Sequence, residues 1–255
     1  MTSMSGRHQI VELSDQLIPV LVPPPQERPG ICSRCRTWND AAPDDECSNC
    51  ADVRQALGIE ALPISLVTLY RKPSVLRDWL TQYKGRPDDQ NPLVPEFGDN
   101  VVALLGRFFL DHEGALYDRL GGYDAIVVVP STTRPPPHPL EEVVSRAVPS
   151  LRVVNLLARG PGDLGFRKPA KDGYIVTENP RPYGRILLID DVYTTGSRLN
   201  SASFALRAAD SEVAGAFVIA RRVNTDFDPR AQNLWDRQSS EPFQWRVSPI
   251  IAAGG

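Results

Sequence analysis

Short apolar runs alternate with amphipathic stretches along much of the chain. Residues 125–129 and 213–220 have the length and the aliphatic content of buried strands. The stretches 140–148 and 198–209 are typical of helices that cover such strands. This alternation predicts right-handed βαβ units and an α/β fold, with a mainly parallel sheet flanked by helices.

Other segments extend this pattern in both directions. Ser74 is a plausible N-cap for a helix that runs through Lys84 and ends at Gly85. Gly, Pro, Arg and Lys are abundant in residues 159–171, so a mobile loop is predicted there. The remaining predicted elements are an amphipathic helix at 99–112 and strands at 152–156 and 185–189.

The chain is predicted to have three parts. Residues 1–30 form an extended leader, whose proline-rich end at 22–29 should be exposed rather than packed. Residues 31–55 form a small cysteine-containing module, and residues 60–255 form the α/β domain. A length of 255 residues with 42% hydrophobic content allows one sizeable core and a small appendage.

Charge and hydropathy exclude several classes of protein. The formal net charge of -3 argues against a general nucleic-acid or membrane-surface binder. No apolar run is long enough to span a bilayer, and the N-terminus lacks the pattern of a secretory signal. We therefore expect a cytoplasmic protein with no membrane partner.

All four cysteines fall in one short window, as the pairs Cys32/Cys35 and Cys47/Cys50. Two Cys-x2-Cys pairs suit tetrahedral zinc, so a structural zinc ribbon is predicted. Two disulfides are the alternative, although cytosolic thiols stay reduced. A catalytic zinc is disfavoured because four thiolates leave no position for water.

The segment 186–197 carries the strongest functional signal. Four branched aliphatics lead into Asp190 and Asp191, and a turn rich in hydroxyls and glycine follows. Free N–H groups at a helix N-terminus attract phosphate, while paired carboxylates accept hydrogen bonds from sugar hydroxyls or ligate magnesium. The alternative is a strand that ends in two solvated acids before a Ser/Thr helix cap.

At these residues the sequence resembles the signature of type I phosphoribosyltransferases, which bind phosphoribosyl pyrophosphate with Mg. The resemblance implies that Asp190 and Asp191 contact the ribose 2- and 3-hydroxyls. It also implies a cradle for the 5-phosphate that consists of Thr194, Thr195, Gly196 and Ser197. A dinucleotide-binding glycine fingerprint and a phosphate-loop lysine motif are both absent.

Two further segments are candidates for binding pyrophosphate. Ser131, Thr132 and Arg134 follow the predicted strand 125–129, where type I enzymes place their pyrophosphate loop. An ordinary proline-terminated turn is the alternative. Lys168, with the other cations of 159–171, could close over the pyrophosphate, unless this segment is a solvated basic loop.

The order of the motifs, with the cysteine pairs first and the Tyr-Lys-Gly helix end next, resembles the ComF-like family of phosphoribosyltransferases. The family usually has an Arg-Gly-Phe-Asn-Gln segment where this chain has residues 131–138. The resemblance implies transfer of a phosphoribosyl group to an unidentified acceptor, most often a nitrogen, with release of pyrophosphate. The alternatives are a non-catalytic sensor of phosphoribosyl pyrophosphate and an adaptor for a DNA-processing partner. Relatives often form dimers, so a homodimer is one option.

Overall fold

The computed structural model describes residues 4–39, 46–85, 93–131 and 137–247. The strands are β1 (Ile64–Tyr70), β2 (Ala125–Val128), β3 (Leu157–Arg159), β4 (Tyr174–Val176), β5 (Ile186–Tyr193) and β6 (Val213–Arg222). The helices are α1 (Met4–Leu17), α2 (Ser48–Leu57), α3 (Val75–Gln82), α4 (Pro95–Leu120), α5 (Pro139–Ala147), α6 (Ser197–Ala208) and α7 (Pro229–Ser239). Short 3-10 helices lie at Ile18–Val20 and Arg181–Tyr183.

The centre of the fold is a four-stranded sheet in the order β1-β6-β5-β2, and every pair in it is parallel. The predicted α/β class with a mainly parallel sheet is therefore confirmed. Because β5 and β6 lie in the middle, helices cover both of their faces and nearly all of their residues are buried. One face packs against α1, α3, α4 and α5, and the other against α2, α6 and α7.

The helix predicted after Ser74 is confirmed as α3, since the Ser74 hydroxyl accepts a hydrogen bond from the Arg77 N–H at 3.2 Å. The predicted strand at 152–156 is wrong as an element. Only Val153 forms a bridge, to Ile126 of β2. The loop predicted at 159–171 connects β3 to β4, which form an antiparallel pair separate from the main sheet.

The expectation of an extended, exposed leader at 1–30 is wrong for most of its length. Residues 4–17 form α1, which packs along α4. Ile10 and Leu17 are buried because apolar residues at helical spacing give α1 an apolar face. The 3-10 helix Ile18–Val20 follows, Val22 then forms a bridge to Leu69 of β1, and Pro24 and Pro25 are buried.

The cysteine module shares its core with the α/β domain. Cys35 and Cys50 are fully buried, and they belong to the same apolar cluster as Leu62, Val218 and Tyr193. The module also differs from the predicted zinc ribbon, because the second cysteine pair lies at the start of helix α2. Within the described part of the chain, no helix is both long and apolar enough to cross a membrane.

Candidate anion-binding site

Strand β5 leads directly into the turn that opens α6. Gly196 is the N-cap of α6 and has φ 85°, a left-handed conformation that strains any residue with a Cβ. A Cβ at Gly196 would lie only 2.2 Å from the Tyr193 hydroxyl oxygen and 2.8 Å from Asn200 Nδ2. Glycine is therefore required at this position both by backbone conformation and by space.

A cavity of about 280 Å³ opens at this turn. Its lining consists of Asp190, residues 192–199 and residues 164–166. The lining therefore includes all four residues of the predicted phosphate cradle and one of the two predicted acids. The N-terminus of α6, with its free N–H groups and positive dipole end, lies at the same place, which is the arrangement that favours an anion.

Asp190 is only 2% exposed and contributes to the cavity wall. Its Oδ1 accepts a hydrogen bond from the Asp191 backbone N–H at 2.9 Å and lies 3.4 Å from Nη2 of Arg198. Burial raises the pKa of Asp190 to about 7, an effect that Arg198 reduces and the Asp191 carboxylate reinforces. The group can therefore change its charge near neutral pH.

Asp191 is not part of the described lining and has different partners. Its Oδ2 forms an ion pair with Lys84 Nζ and accepts a hydrogen bond from the Tyr83 hydroxyl at 3.2 Å. Its Oδ1 is buried and has no hydrogen-bond partner among the described residues. Burial would raise the pKa of Asp191, but the charges of Lys84 and Arg198 outweigh it and lower that pKa below its usual range. Asp191 is therefore held as a carboxylate.

The turn itself is fixed by side-chain hydrogen bonds. The hydroxyl oxygens of Thr195 and Ser197 lie 3.1 Å apart. Asn200 Nδ2 donates to the Gly196 carbonyl at 2.9 Å, while Asn200 Oδ1 accepts from the Leu62 N–H at 2.8 Å. The turn is thus attached to the segment that links the cysteine module to β1.

Residues 164–166 border the cavity from the connection between β3 and β4. The Arg167 N–H donates to Thr195 Oγ1 at 3.3 Å, and the Arg167 guanidinium pairs with Asp52 of α2 at 2.7 Å. Lys168 instead lies 3.2 Å from Asp163 and is 65% exposed, outside the described lining. Its role in closing over pyrophosphate stays a prediction.

The predicted pyrophosphate loop is described only in part. Thr132 and Arg134 lie outside the described residues. Ser131 is partly buried and follows Pro130, whose carbonyl accepts from the Tyr174 hydroxyl at 3.0 Å and lies 3.4 Å from Arg198 Nη2. Ser131 therefore lies at the edge of the sheet where the cavity opens.

The sequence interpretation missed three charged or polar partners of the acids. Arg198 lines the cavity beside Asp190, and Tyr83 and Lys84 contact Asp191. Arg198 carried a signal, since a cation directly after a predicted anion-binding turn is itself a candidate ligand. Lys84 lies in the Tyr-Lys-Gly sequence at the end of the predicted helix, but no local sequence pattern indicates its contact with β5.

The four cysteines form a potential metal centre. All four Sγ atoms lie within 4.8 Å of one another, with 3.8 Å between Cys32 and Cys50 and 3.4 Å between Cys35 and Cys47. Four sulfurs at about 2.3 Å from a zinc ion would be about 3.8 Å apart, so this donor set fits zinc. The cysteines are free rather than bonded in disulfides, and Cys47 is the N-cap of α2, where the helix dipole stabilises thiolates.

Comparison with protein-family models gives no match for this chain. None of the curated proteins matches it either. The motif and the geometry described above are therefore the observations that bear on its function.

Proposed function

We propose that this protein is a phosphoribosyltransferase similar to the type I, ComF-like enzymes. It would bind phosphoribosyl pyrophosphate with Mg and transfer the phosphoribosyl group to a small-molecule acceptor, with release of pyrophosphate. The observation that carries the proposal is that Asp190, the 194–197 turn and Arg198 line one cavity at the carboxyl end of a central strand. Open α/β sheets bind their ligands at this edge.

The cavity suits a sugar phosphate. Its volume of about 280 Å³ is near the lower end of the range for ligand pockets, so it fits a phosphoribosyl group rather than a complete pair of substrates. In this proposal the 5-phosphate binds the N–H groups of the 194–197 turn at the start of α6. The same turn supplies the hydroxyls of Thr195 and Ser197 as further donors.

The acids and cations have distinct roles in this proposal. Asp190 accepts hydrogen bonds from a ribose hydroxyl, and Arg198 keeps its carboxylate oriented. Mg, when bound with the substrate, supplies positive charge against the departing pyrophosphate. Pyrophosphate itself is assigned to Ser131, Thr132 and Arg134, as the resemblance implies, and to Lys168 as a cation of the segment 159–171.

The cysteine cluster is proposed to hold a structural zinc. Four cysteine ligands fill a tetrahedron and leave no open position for substrate. The cluster is also buried, with Cys35 and Cys50 fully inaccessible. This burial gives little support to an adaptor role in which the cluster itself contacts a DNA-processing partner.

A binding measurement tests the proposal. Calorimetry with phosphoribosyl pyrophosphate and Mg should detect binding to the wild-type protein and a loss of at least tenfold in affinity for Asp190→Asn. Asp118→Asn is the matched control, because Asp118 is an exposed acid on α4. Absence of binding to the wild-type protein would refute the proposal.

A sensor without turnover is the second candidate. The observation that favours it is that Asp191 faces Lys84 and Tyr83 rather than the cavity, so only one of the two acids lies in the described wall. An assay of pyrophosphate release against a broad panel of amine and nucleobase acceptors separates the two functions. Tight binding with no release favours the sensor, and release with any acceptor favours the enzyme.

A further inference from the structure

We infer that the metal-binding cysteine cluster positions the anion-binding turn through Arg221 and Tyr193, so that loss of metal weakens the turn. For its consequence on ligand affinity, this inference rests on the proposed function of the cavity. Its structural part concerns the turn alone and is independent of any ligand.

The first connection is between the cysteines and Arg221. Arg221 lies on β6 and is only 2% exposed. Its Nε and Nη1 have no hydrogen-bond partner among the described residues. Its register partner Tyr193 belongs to the same buried cluster as the four cysteines, so the Arg221 guanidinium lies beside that cluster. A buried charge requires a countercharge, and four thiolates around a divalent ion carry a net negative charge. Arg221 is placed to balance this charge.

The second connection is between Arg221 and the turn. Arg221 is the register partner of Tyr193 on the neighbouring strand β5, and its guanidinium lies 5.1 Å from the centre of the Tyr193 ring. The Tyr193 hydroxyl lies directly against Gly196, where even a Cβ would come within 2.2 Å of it. The Tyr193 ring is therefore part of the packing that positions the start of α6.

Two contacts join the cysteine module, and the segment that links it to β1, to the same turn by separate routes. Asp52, two residues after Cys50 on α2, pairs with Arg167, whose N–H donates to Thr195. The Leu62 N–H donates to Asn200, which in turn donates to the Gly196 carbonyl. The turn is therefore held from the side of the cysteine module at several points.

These connections give the cluster a positioning role. Without a metal, four neighbouring sulfur atoms have nothing to hold them together, and Arg221 loses the countercharge that its burial requires. Arg221 must then move toward water, which removes its support from the Tyr193 ring. The turn then loses its packing against Tyr193, although no residue that lines the cavity has been replaced.

The experiment compares full-length Arg221→Met and Arg221→Lys with the wild-type protein. Arg152→Met is a matched control, because the Arg152 guanidinium lies 4.5 Å from the Tyr183 ring at an exposed position away from the cysteines. Three quantities are measured: zinc release to a chelating dye, hydrogen exchange of the amides of 194–201, and affinity for phosphoribosyl pyrophosphate with Mg. Exchange of β2 amides reports global opening.

We expect Arg221→Met to lower zinc affinity about ten- to hundredfold, as for other groups that support metal ligands. Exchange at 194–201 should accelerate at least tenfold more than exchange in β2, and ligand affinity should fall at least tenfold. Arg221→Lys should recover part of each loss because it restores the charge, and Arg152→Met should match the wild type. Unchanged zinc release, or faster release with unchanged exchange at 194–201, would overturn the inference.

If Arg221→Met does not fold, Tyr193→Leu in the zinc-loaded protein decides the question. It removes the ring between Arg221 and Gly196, and it should accelerate exchange at 194–201 while zinc is retained. Unchanged exchange in this variant would overturn the inference. If the wild-type protein binds no phosphoribosyl pyrophosphate, the proposed function fails, whereas the zinc and exchange measurements still decide whether the cluster supports the turn.

Discussion

The carboxylates of Asp190 and Asp191 are neighbours in sequence, but each contacts a different cation. Asp190 contacts Arg198 in the cavity wall, and Asp191 pairs with Lys84 beside Tyr83. Successive residues of a strand point to opposite faces, so the two carboxylates have different direct partners although they still influence each other. The pKa of Asp190 is raised and that of Asp191 is lowered, and this difference leads to separate predictions for each acid.

Asp190→Asn should stabilise the ligand-free protein at pH 8. The pKa of Asp190 is raised to about 7 by burial, so the folded state binds its proton more tightly than the unfolded chain does. The stability contribution of Asp190 therefore falls as pH rises from about 4 to 7. Thermal melts should show a variant that is more stable by at least ~1 kcal/mol at pH 8 and similar to wild type at pH 4. Equal melting temperatures at both pH values would contradict this expectation.

Affinity for phosphoribosyl pyrophosphate with Mg should increase with pH through about 7. The ligand's hydroxyl and metal need an ionised carboxylate, and the fraction of ionised Asp190 rises through its raised pKa. Calorimetry at pH 6 and pH 8 should show tighter binding at the higher value. In Asp190→Asn this dependence should disappear along with most of the affinity.

Lys84→Met should destabilise the fold, because it leaves the carboxylate of Asp191, which is 1% exposed, without its cation. Breaking such a pair costs about 3 kcal/mol. The pKa of Asp191 is depressed in the folded state, so the contribution of the pair is fully present above about pH 4 and is lost gradually as pH falls toward that depressed value. Chemical denaturation should show a large difference in stability at pH 7 and a smaller one at pH 3.

The double variant Lys84→Met/Asp191→Asn is the control for the ion pair. It removes both charges, so its stability at pH 7 should recover toward wild type. If the double variant is less stable than Lys84→Met alone, Asp191 contributes to the fold through something other than its charge pair with Lys84.

Gly196→Ala should cost more stability than another glycine replacement at a similar backbone angle. Gly58, with φ 71°, has open space where an alanine methyl would lie, with no atom within 4 Å, so Gly58→Ala costs only the backbone strain of about 1 kcal/mol. At Gly196 the methyl also collides with the Tyr193 hydroxyl and with Asn200. We expect an additional loss of about 2 kcal/mol in denaturation, and loss of anion binding. Equal effects at the two positions would mean that the turn relaxes freely.

Cys35→Ser should weaken the whole protein rather than one module. Cys35 is fully buried in the cluster that also contains Leu62 and Val218, so a loss of metal disturbs the packing of the sheet. Circular dichroism should show a single unfolding transition shifted to lower denaturant concentration. A separate early transition, followed by unfolding of the sheet at the wild-type midpoint, would show that the module unfolds independently.

Local patterns were sufficient for the central strands and for the turn. The aliphatic run before Asp190 and the hydroxyl-rich turn after it predict β5 and the start of α6, because both signals lie within a few residues of each other. The Ser74 cap is equally local. The Cys-x2-Cys spacing predicts that the four sulfurs meet, and they do.

Contacts between distant segments could not be predicted in this way. Lys84 and Asp191 meet only because α3 packs near the end of β5, and no pattern in either segment indicates the other. The same reason explains the buried position of α1, since helical spacing shows that it has an apolar face but not what covers it. Cysteine spacing likewise gives no information about Arg221, which lies far along the chain.

The strand order also affects how the chain folds during translation. β1 pairs with β6, which is synthesised much later, and contacts of this kind form slowly. Tyr193 and Arg221 leave the ribosome long after the four cysteines. The buried environment of the four cysteines is therefore complete only after the last strand has been synthesised.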